Sequence, residues 1–178
     1  MADENAEIAR GLRRRDPDLL DRLIEQYQHR LLRYLVHLTG QRERAEDLFQ
    51  ETWVRVLERG SQYDGRRDFT AWLFTIARNL FIDQQRRRRP ESAEQGDPVE
   101  TNAPSAFDLA AQREQSDRIS AGMDRLPGEY REALSLRFQE GMSLEEIASV
   151  TGAPLGTVKS RIYRGLSALE PWLKGAGL

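Results

Sequence analysis

The 178-residue sequence predicts an all-α protein of two small helical domains joined by a flexible acidic linker. In both halves of the chain, apolar residues recur with the spacing of amphipathic helices, and no segment alternates with the period of two typical of strands. A proline-rich, acidic segment at 90–105 carries almost no apolar residues. It buries too little surface to offset its ordering entropy, so we expect an extended linker there.

We therefore divide the chain into an N-terminal module (1–89), a linker (90–112) and a C-terminal module (113–178). The N-terminal module shows three helical stripes, which run over 19–38, 45–57 and 69–81. Glycines follow the first two stripes, at Gly40 and Gly60, and Asp68 is expected to cap the third helix.

The C-terminal module predicts four helices, at about 109–125, 128–140, 143–150 and 154–173, with Pro127 at the start of the second. Ser143 and Glu146 have the spacing of a capping box. Gly152 stands where a chain turns with positive φ, and Pro154 suits the first turn of the next helix. Two short helices joined by a glycine turn are typical of a helix-turn-helix, whose second helix enters a DNA major groove.

The last predicted helix has two different faces. At about 100° per residue, a buried stripe is formed by Leu155, Val158, Ile162, Leu166 and Leu169. The opposite face holds Gly156, Thr157, Ser160, Tyr163, Arg164 and Ser167, flanked by Lys159 and Arg161. Small residues allow a close approach to bases, and basic ones hold phosphates or, as Arg164 could, read a guanine. The alternative is a helical hairpin whose basic face is merely solvated.

Composition excludes several classes of function. The chain has no cysteine, which excludes disulfides, thiolate zinc sites and cysteine nucleophiles. His29 and His37 lack acidic or sulfur partners at a suitable spacing, so we expect no metal site and no cofactor. No nucleophile–base pair or phosphate-cradling glycine loop is present, so we expect no enzyme. No apolar run approaches the roughly 20 residues that span a membrane, and we expect a soluble, cytoplasmic protein.

The net charge of −2 hides an uneven distribution. Residues 1–89 carry 18 arginines against 15 acidic residues, whereas residues 90–127 carry 3 arginines against 8 acidic residues. The last segment, 128–178, has 6 residues of each sign. Basic residues are therefore concentrated at the two ends, and the middle is acidic.

The segment from Tyr63 to Arg89 combines aromatic and basic residues, a mixture that suits single-stranded nucleic acid. Phe69, Trp72 and Phe81 share the apolar stripe and favour packing, so Tyr63 in the preceding loop is the better candidate for stacking on a base. The run from Arg86 to Arg89 is more typical of a solvated helix end than of a specific contact.

The second helix presents an acidic surface that includes Glu43, Glu46, Asp47 and Glu51. Such a face is unsuited to DNA and suits a basic protein partner, although any solvated helix can show it.

Four segments, in this order and spacing, resemble the extracytoplasmic-function (ECF) subfamily of bacterial sigma-70 factors. They are AEDLFQETWVRVLE (45–58), DFTAWLFTIARNLFID (68–83), LPGEYREALSLRF (126–138) and SLEEIASVTGAPLGTVKSRIYRG (143–165). The resemblance covers about residues 16–89 and 113–174. It implies a promoter-specificity subunit of RNA polymerase that performs no covalent chemistry.

The resemblance also implies roles for matching positions. The clamp helices of the polymerase β′ subunit would contact Asp47, Leu48, Gln50, Glu51 and Val54. The −10 element would be recognised and melted by Tyr63, Asp64, Arg66, Arg67, Phe69, Trp72, Arg78 and Asn79. The −35 element would be read by Gly156, Thr157, Lys159, Ser160, Arg161, Tyr163 and Arg164. The linker would pass through polymerase near the RNA exit path.

The implied partners are core RNA polymerase through its β and β′ subunits, promoter DNA in duplex and single-stranded form, and an anti-sigma factor that covers the polymerase-binding face. One alternative is a stand-alone repressor or activator with dimerising N-terminal helices, which would bind duplex DNA tightly without polymerase. A second is an adaptor with a degenerate helix-turn-helix, against which the intact Lys159, Arg161 and Arg164 argue. An enzyme is the weakest alternative.

Overall fold

The computed structural model describes residues 2–88 and 119–174, and within these ranges every regular element is a helix. The helices are α1 (Ala2–Arg14), α2 (Pro17–Thr39), α3 (Arg42–Arg59), α4 (Phe69–Arg88), α5 (119–124), α6 (Gly128–Leu134), α7 (Leu144–Thr151) and α8 (Leu155–Lys174). A 3₁₀ turn, Gly60–Gln62, follows α3, and a π-helical turn, Ser135–Gln139, continues α6. The all-α prediction is confirmed. The linker lies outside the described residues.

Local sequence signals set several helix ends. The Asp68 carboxylate accepts the Thr70 amide at 2.8 Å and caps α4. Ser143 and Glu146 form the capping box at the start of α7, with distances of 3.1 and 2.7 Å. Gly40 and Gly152 follow α2 and α7 at φ 66°, where a side chain would be strained.

Gly60 ends α3 for a different reason from the one expected. Its φ is −57°, so the glycine is not needed for a left-handed turn. A Cβ at this position would lie 3.1 Å from Cβ of Leu12 in α1. The glycine therefore permits α1 to approach the end of α3. Helix α1 was not predicted, and it buries Ile8, Ala9 and Leu12 against the other N-terminal helices.

One apolar core runs through both modules. It includes Leu31 and Leu35 of α2, and it continues into Leu136, Ile147 and Val158 of the C-terminal module. A smaller cluster joins α5, α6 and α8 and contains Met123, Leu126, Leu134 and Leu169. The modules thus pack against each other, mainly through α2 and α4 on one side and α6 and α7 on the other. We call this the closed arrangement.

Candidate nucleic-acid interface

Helix α8 presents the expected polar face to solvent. Val158 and Leu169 are buried, and Ile162 is half-buried against the core. Leu155 and Leu166 were expected in the buried stripe but are partly exposed, Leu155 because it is the first residue of the helix and Leu166 because it lines an open apolar groove. The opposite face, which we call the recognition face, comprises Gly156, Thr157, Lys159, Ser160, Arg161, Tyr163 and Arg164.

The recognition face is open to solvent and leaves room for a base edge to approach the helix. A Cβ on Gly156 would meet no atom within 4 Å, so nothing else occupies the space in front of the start of the helix. Tyr163 is 73% exposed. A shallow depression of about 260 Å³ lies between the first turns of α6 and α8. These features allow the backbone of α8 to come close to a base edge.

One basic residue of this face is already held in place. The Arg161 guanidinium donates from Nη2 to Oε2 of Glu129 on α6, at 2.8 Å. Glu129 was not singled out from the sequence, since its partner lies 32 residues further on. Lys159 and Arg164 are exposed and extend from the same helix.

The structure corrects the expectation for Tyr63. Its ring is buried, 5.5 Å from the ring of Phe69 and 5.0 Å from that of Trp72. Its hydroxyl donates to the Arg67 carbonyl at 2.7 Å. Burial raises the pKa of Tyr63, so the phenol stays protonated. Tyr63 therefore holds the loop onto α4 and offers no face to a base in this arrangement, and the same holds for the buried Phe69.

Polar residues of the same segment remain accessible. Asp64 accepts the Arg66 amide at 2.9 Å and so shapes the loop, which turns at Gly65 with φ 75°. Arg66 points into solvent, as does Asn79 on α4. Trp72 is half-buried. The accessible part of the predicted −10 surface is thus the loop together with one face of α4.

Arg78 is engaged by the C-terminal module instead. Its Nε lies 2.6 Å from Oε1 of Glu132 on α6, and the hydroxyl of Tyr34 donates to the same oxygen at 2.9 Å. Burial, followed by the Glu132 charge, raises the pKa of Tyr34 well above its usual value, which keeps the hydroxyl a donor. Arg67 also reaches across, with Nη1 3.4 Å from Oγ of Ser149.

The five residues of α3 that are expected to contact polymerase differ in their exposure to solvent. Asp47, Gln50 and Glu51 are exposed, and Val54 is 54% exposed. Leu48 is fully buried in the core, so its expected contact with a partner is wrong for this arrangement. Val54 adds apolar surface to a face that also carries the acidic residues Asp47 and Glu51.

Among the described residues no group of three or more His, Asp or Glu side chains is arranged to hold an ion. No helix in 2–88 or 119–174 is long and apolar enough to cross a bilayer. Arg86 and Arg87 are exposed at the end of α4, and Arg89 lies outside the described residues.

Comparison with known proteins assigns a family to these surfaces. The family model for sigma-70 region 2 matches residues 23–91, and the model for sigma-70 region 4 matches residues 116–169. The ECF RNA polymerase sigma factor SigL of Mycobacterium tuberculosis is 33% identical over 165 residues, a match covering 90% of this chain and 92% of SigL. The chain is an ECF sigma factor of the sigma-70 family.

Two further similarities support this assignment. The ECF RNA polymerase sigma factor SigE of Mycolicibacterium smegmatis is 38% identical over 157 residues, covering 86% of this chain and 61% of SigE. This chain thus spans about three fifths of that relative's length. The sigma factor RpoE of Bartonella quintana, solved in complex with the anti-sigma factor NepR, superposes with a TM-score of 0.70 and 26% identity. That match covers 86% of this chain and 96% of RpoE.

Proposed function

We propose that this sigma factor directs RNA polymerase to promoters that carry paired −10 and −35 elements, with the N-terminal module (1–89) acting at −10 and the C-terminal module (113–178) at −35. The observation that carries the proposal is the presence of regions 2 and 4 in one chain, at 23–91 and 116–169. Two weak DNA sites joined by a linker bind together more tightly than either alone.

The recognition face of α8 supports the −35 assignment. Its small residues leave open space at Gly156, and its basic residues lie on the flanks, where phosphates run along a groove. The exposed Arg164 lies on the face itself and is the residue positioned to read a base edge, whereas Arg161, held by Glu129, lies on the flank.

The loop of 64–67 and the exposed Asn79 support the −10 assignment. In this proposal Tyr63 and Phe69 support the loop by packing beneath it, since both side chains are buried. Strand opening then requires no nucleotide hydrolysis, because the free energy comes from binding unstacked bases on the loop and on α4.

The exposed α3 face is the proposed contact with the polymerase β′ subunit, through Asp47, Gln50, Glu51 and Val54. The same face suits an anti-sigma factor that would exclude polymerase, and the similar sigma factor RpoE was solved in complex with the anti-sigma factor NepR. Purification from native cells under several growth conditions tests this second partner. Recovery of polymerase alone in every condition would contradict it.

Separating the steps of initiation tests the residue assignments. Asn79→Ala should reduce permanganate reactivity of the −10 region while leaving core binding in gel filtration unchanged. Arg164→Ala should weaken promoter binding by about 1–3 kcal/mol and relax base preference at one −35 position. An equal loss of core binding and opening in Asn79→Ala would refute its role, and a loss in Arg164→Ala that is uniform across promoter sequences would make Arg164 a phosphate contact.

A further inference from the structure

Two arginines of α2 are bound by a carboxylate from the other module. The Glu140 side chain is fully buried, and its Oε2 accepts from Nε of Arg30 at 2.8 Å while its Oε1 accepts from Nη2 of Arg33 at 2.9 Å. Nη2 of Arg30 also lies 3.4 Å from the Glu140 carbonyl. The π-helical turn Ser135–Gln139 and Gly141, at φ 70°, place Glu140 at this point. Neither arginine belongs to the assigned −10 or polymerase-binding residues.

The arginine pair adjoins the proposed −10 surface. The Arg30 guanidinium lies over the ring of Tyr27, 5.3 Å from its centroid. Tyr27 in turn packs edge-on against Phe69 at 5.5 Å, and its hydroxyl lies 3.1 Å from Oγ1 of Thr70 on α4. Arg78, held by Glu132, faces the same module boundary. A strand bound along α4 would therefore pass close to these guanidinium groups.

The closed arrangement is too small to read both promoter elements. Elements centred about 25 base pairs apart are roughly 85 Å apart on B-DNA, at 3.4 Å per base pair. A compact chain of 178 residues has a radius of gyration of about 16 Å, or roughly 40 Å across. The modules must separate for initiation, and Glu140 then leaves with the C-terminal module.

Separation would leave both guanidinium groups without their carboxylate. Within residues 2–88 and 119–174, Glu140 is the one acidic side chain within 4.0 Å of either Arg30 or Arg33. In the closed arrangement the side chain of Arg30 is already 33% exposed to solvent and that of Arg33 is 45% exposed. Guanidinium groups bind phosphate oxygens with the same planar, charge-assisted geometry as carboxylate oxygens.

Resting on the function proposed above, we propose that Arg30 and Arg33 form a further DNA-phosphate site next to the −10 surface, and that Glu140 occupies this site in the closed arrangement. Glu140 is a competitor for the backbone of promoter DNA. The apparent DNA affinity is the intrinsic affinity multiplied by the fraction of molecules whose site is free, so weakening the Glu140 contact raises the apparent affinity toward the intrinsic value.

The test measures binding of the full chain to a fluorescein-labelled, mixed-sequence single-stranded DNA by anisotropy over a range of salt concentrations. Glu140→Gln keeps the side-chain shape and removes the charge, and it should tighten binding several-fold at low salt. In that background, Arg30→Gln with Arg33→Gln should weaken binding at least tenfold. Two lost phosphate contacts should also make the slope of log affinity against log salt shallower by about 1.4, at 0.7 per contact on single strands.

The matched control is Arg10→Gln with Arg13→Gln in the same Glu140→Gln background. These exposed arginines of α1 have the same i, i+3 spacing and remove the same charge from the same module. They should leave the salt slope nearly unchanged. Equal slopes for the two double substitutions, or no loss from Arg30→Gln with Arg33→Gln, would overturn the site.

A distance measurement tests occupancy by Glu140 independently. Because the chain has no cysteine, dyes can be attached through Asp21→Cys and Ser167→Cys, both at exposed positions on different modules. Energy transfer between them should fall in Glu140→Gln and, in the otherwise unchanged chain, on addition of the DNA. Transfer that stays constant in both cases would overturn the competition.

Two controls keep the outcomes separable. If Glu140→Gln loses helicity by circular dichroism, Glu140→Lys repeats the test, because repulsion from Arg30 and Arg33 opens the modules and returns residue 140 to solvent. Transcription with core polymerase reports on the proposed function. If the chain is active in transcription but Arg30→Gln with Arg33→Gln changes DNA binding no more than the α1 control does, the phosphate site is refuted and the proposed function stands.

Discussion

Glu132→Gln tests whether the two modules are truly packed through a buried ion pair. The Glu132 side chain is 7% exposed, and it accepts from Nε and Nη2 of Arg78 at 2.6 and 3.4 Å and from the Tyr34 hydroxyl at 2.9 Å. The substitution preserves size and one acceptor oxygen. It removes the charge that faces the Arg78 guanidinium, whose side chain is largely buried.

The magnitude follows from the burial of both partners. Breaking a buried ion pair by neutralising one member costs about 3–5 kcal/mol. Because the Arg78 side chain is partly exposed to solvent and the amide oxygen of the substituted side chain still accepts a hydrogen bond, we expect the free energy of unfolding to fall by about 2–4 kcal/mol. For a chain of this length, each kcal/mol lowers Tm by about 2–4 °C.

Glu129→Gln is the matched control for this measurement. It is the same substitution on the same helix, also facing an arginine, Arg161, at 2.8 Å, but Glu129 is 51% exposed. Exposed pairs contribute about 0–1 kcal/mol. Urea unfolding followed by circular dichroism should separate the two variants clearly. If Glu132→Gln lost no more stability than Glu129→Gln, the closed arrangement would not rest on this contact.

Four further substitutions test local features by denaturant midpoint. Gly165→Ala should destabilise the fold by about 1–3 kcal/mol, since its Cβ would lie 2.9 Å from Cδ1 of Leu134. Gly156→Ala, whose Cβ would have no atom within 4 Å, should raise stability by up to about 1 kcal/mol while weakening −35 binding. Equal effects of the two substitutions on stability would contradict both predictions. Ser143→Ala removes half of the capping box and should cost about 1 kcal/mol, whereas no change would show that the cap adds nothing. Burial lowers the pKa of His37 below its usual 6.5, so the unfolded chain binds the extra proton and stability should fall as pH drops through 6.5 toward the folded value. His37→Asn should flatten that dependence, and an unchanged pH profile would refute the assignment.

Local signals made much of the fold predictable. Ser143 and Glu146 act within four residues of each other, and Gly40 and Gly152 act at their own backbone, so the sequence indicates them directly. The position of the recognition face on α8 follows from the same helical periodicity.

Long-range contacts were not predictable in the same way. Glu140 pairs with Arg30 across 110 residues, and Glu132 pairs with Tyr34 across 98, so no periodic pattern joins them. Tyr63 is expected from the sequence to stack on a base because it lies in a loop, but its edge-to-face contact with the Phe69 ring buries it.

Run-off transcription tests the central claim most directly. Purified chain is added to core RNA polymerase with fragments of genomic DNA, and the starts of the transcripts are mapped. We expect transcripts that depend on the chain and begin downstream of a shared pair of −10 and −35 motifs. Tight binding to duplex DNA without polymerase, with no chain-dependent transcript, would contradict it and would favour a stand-alone repressor or activator.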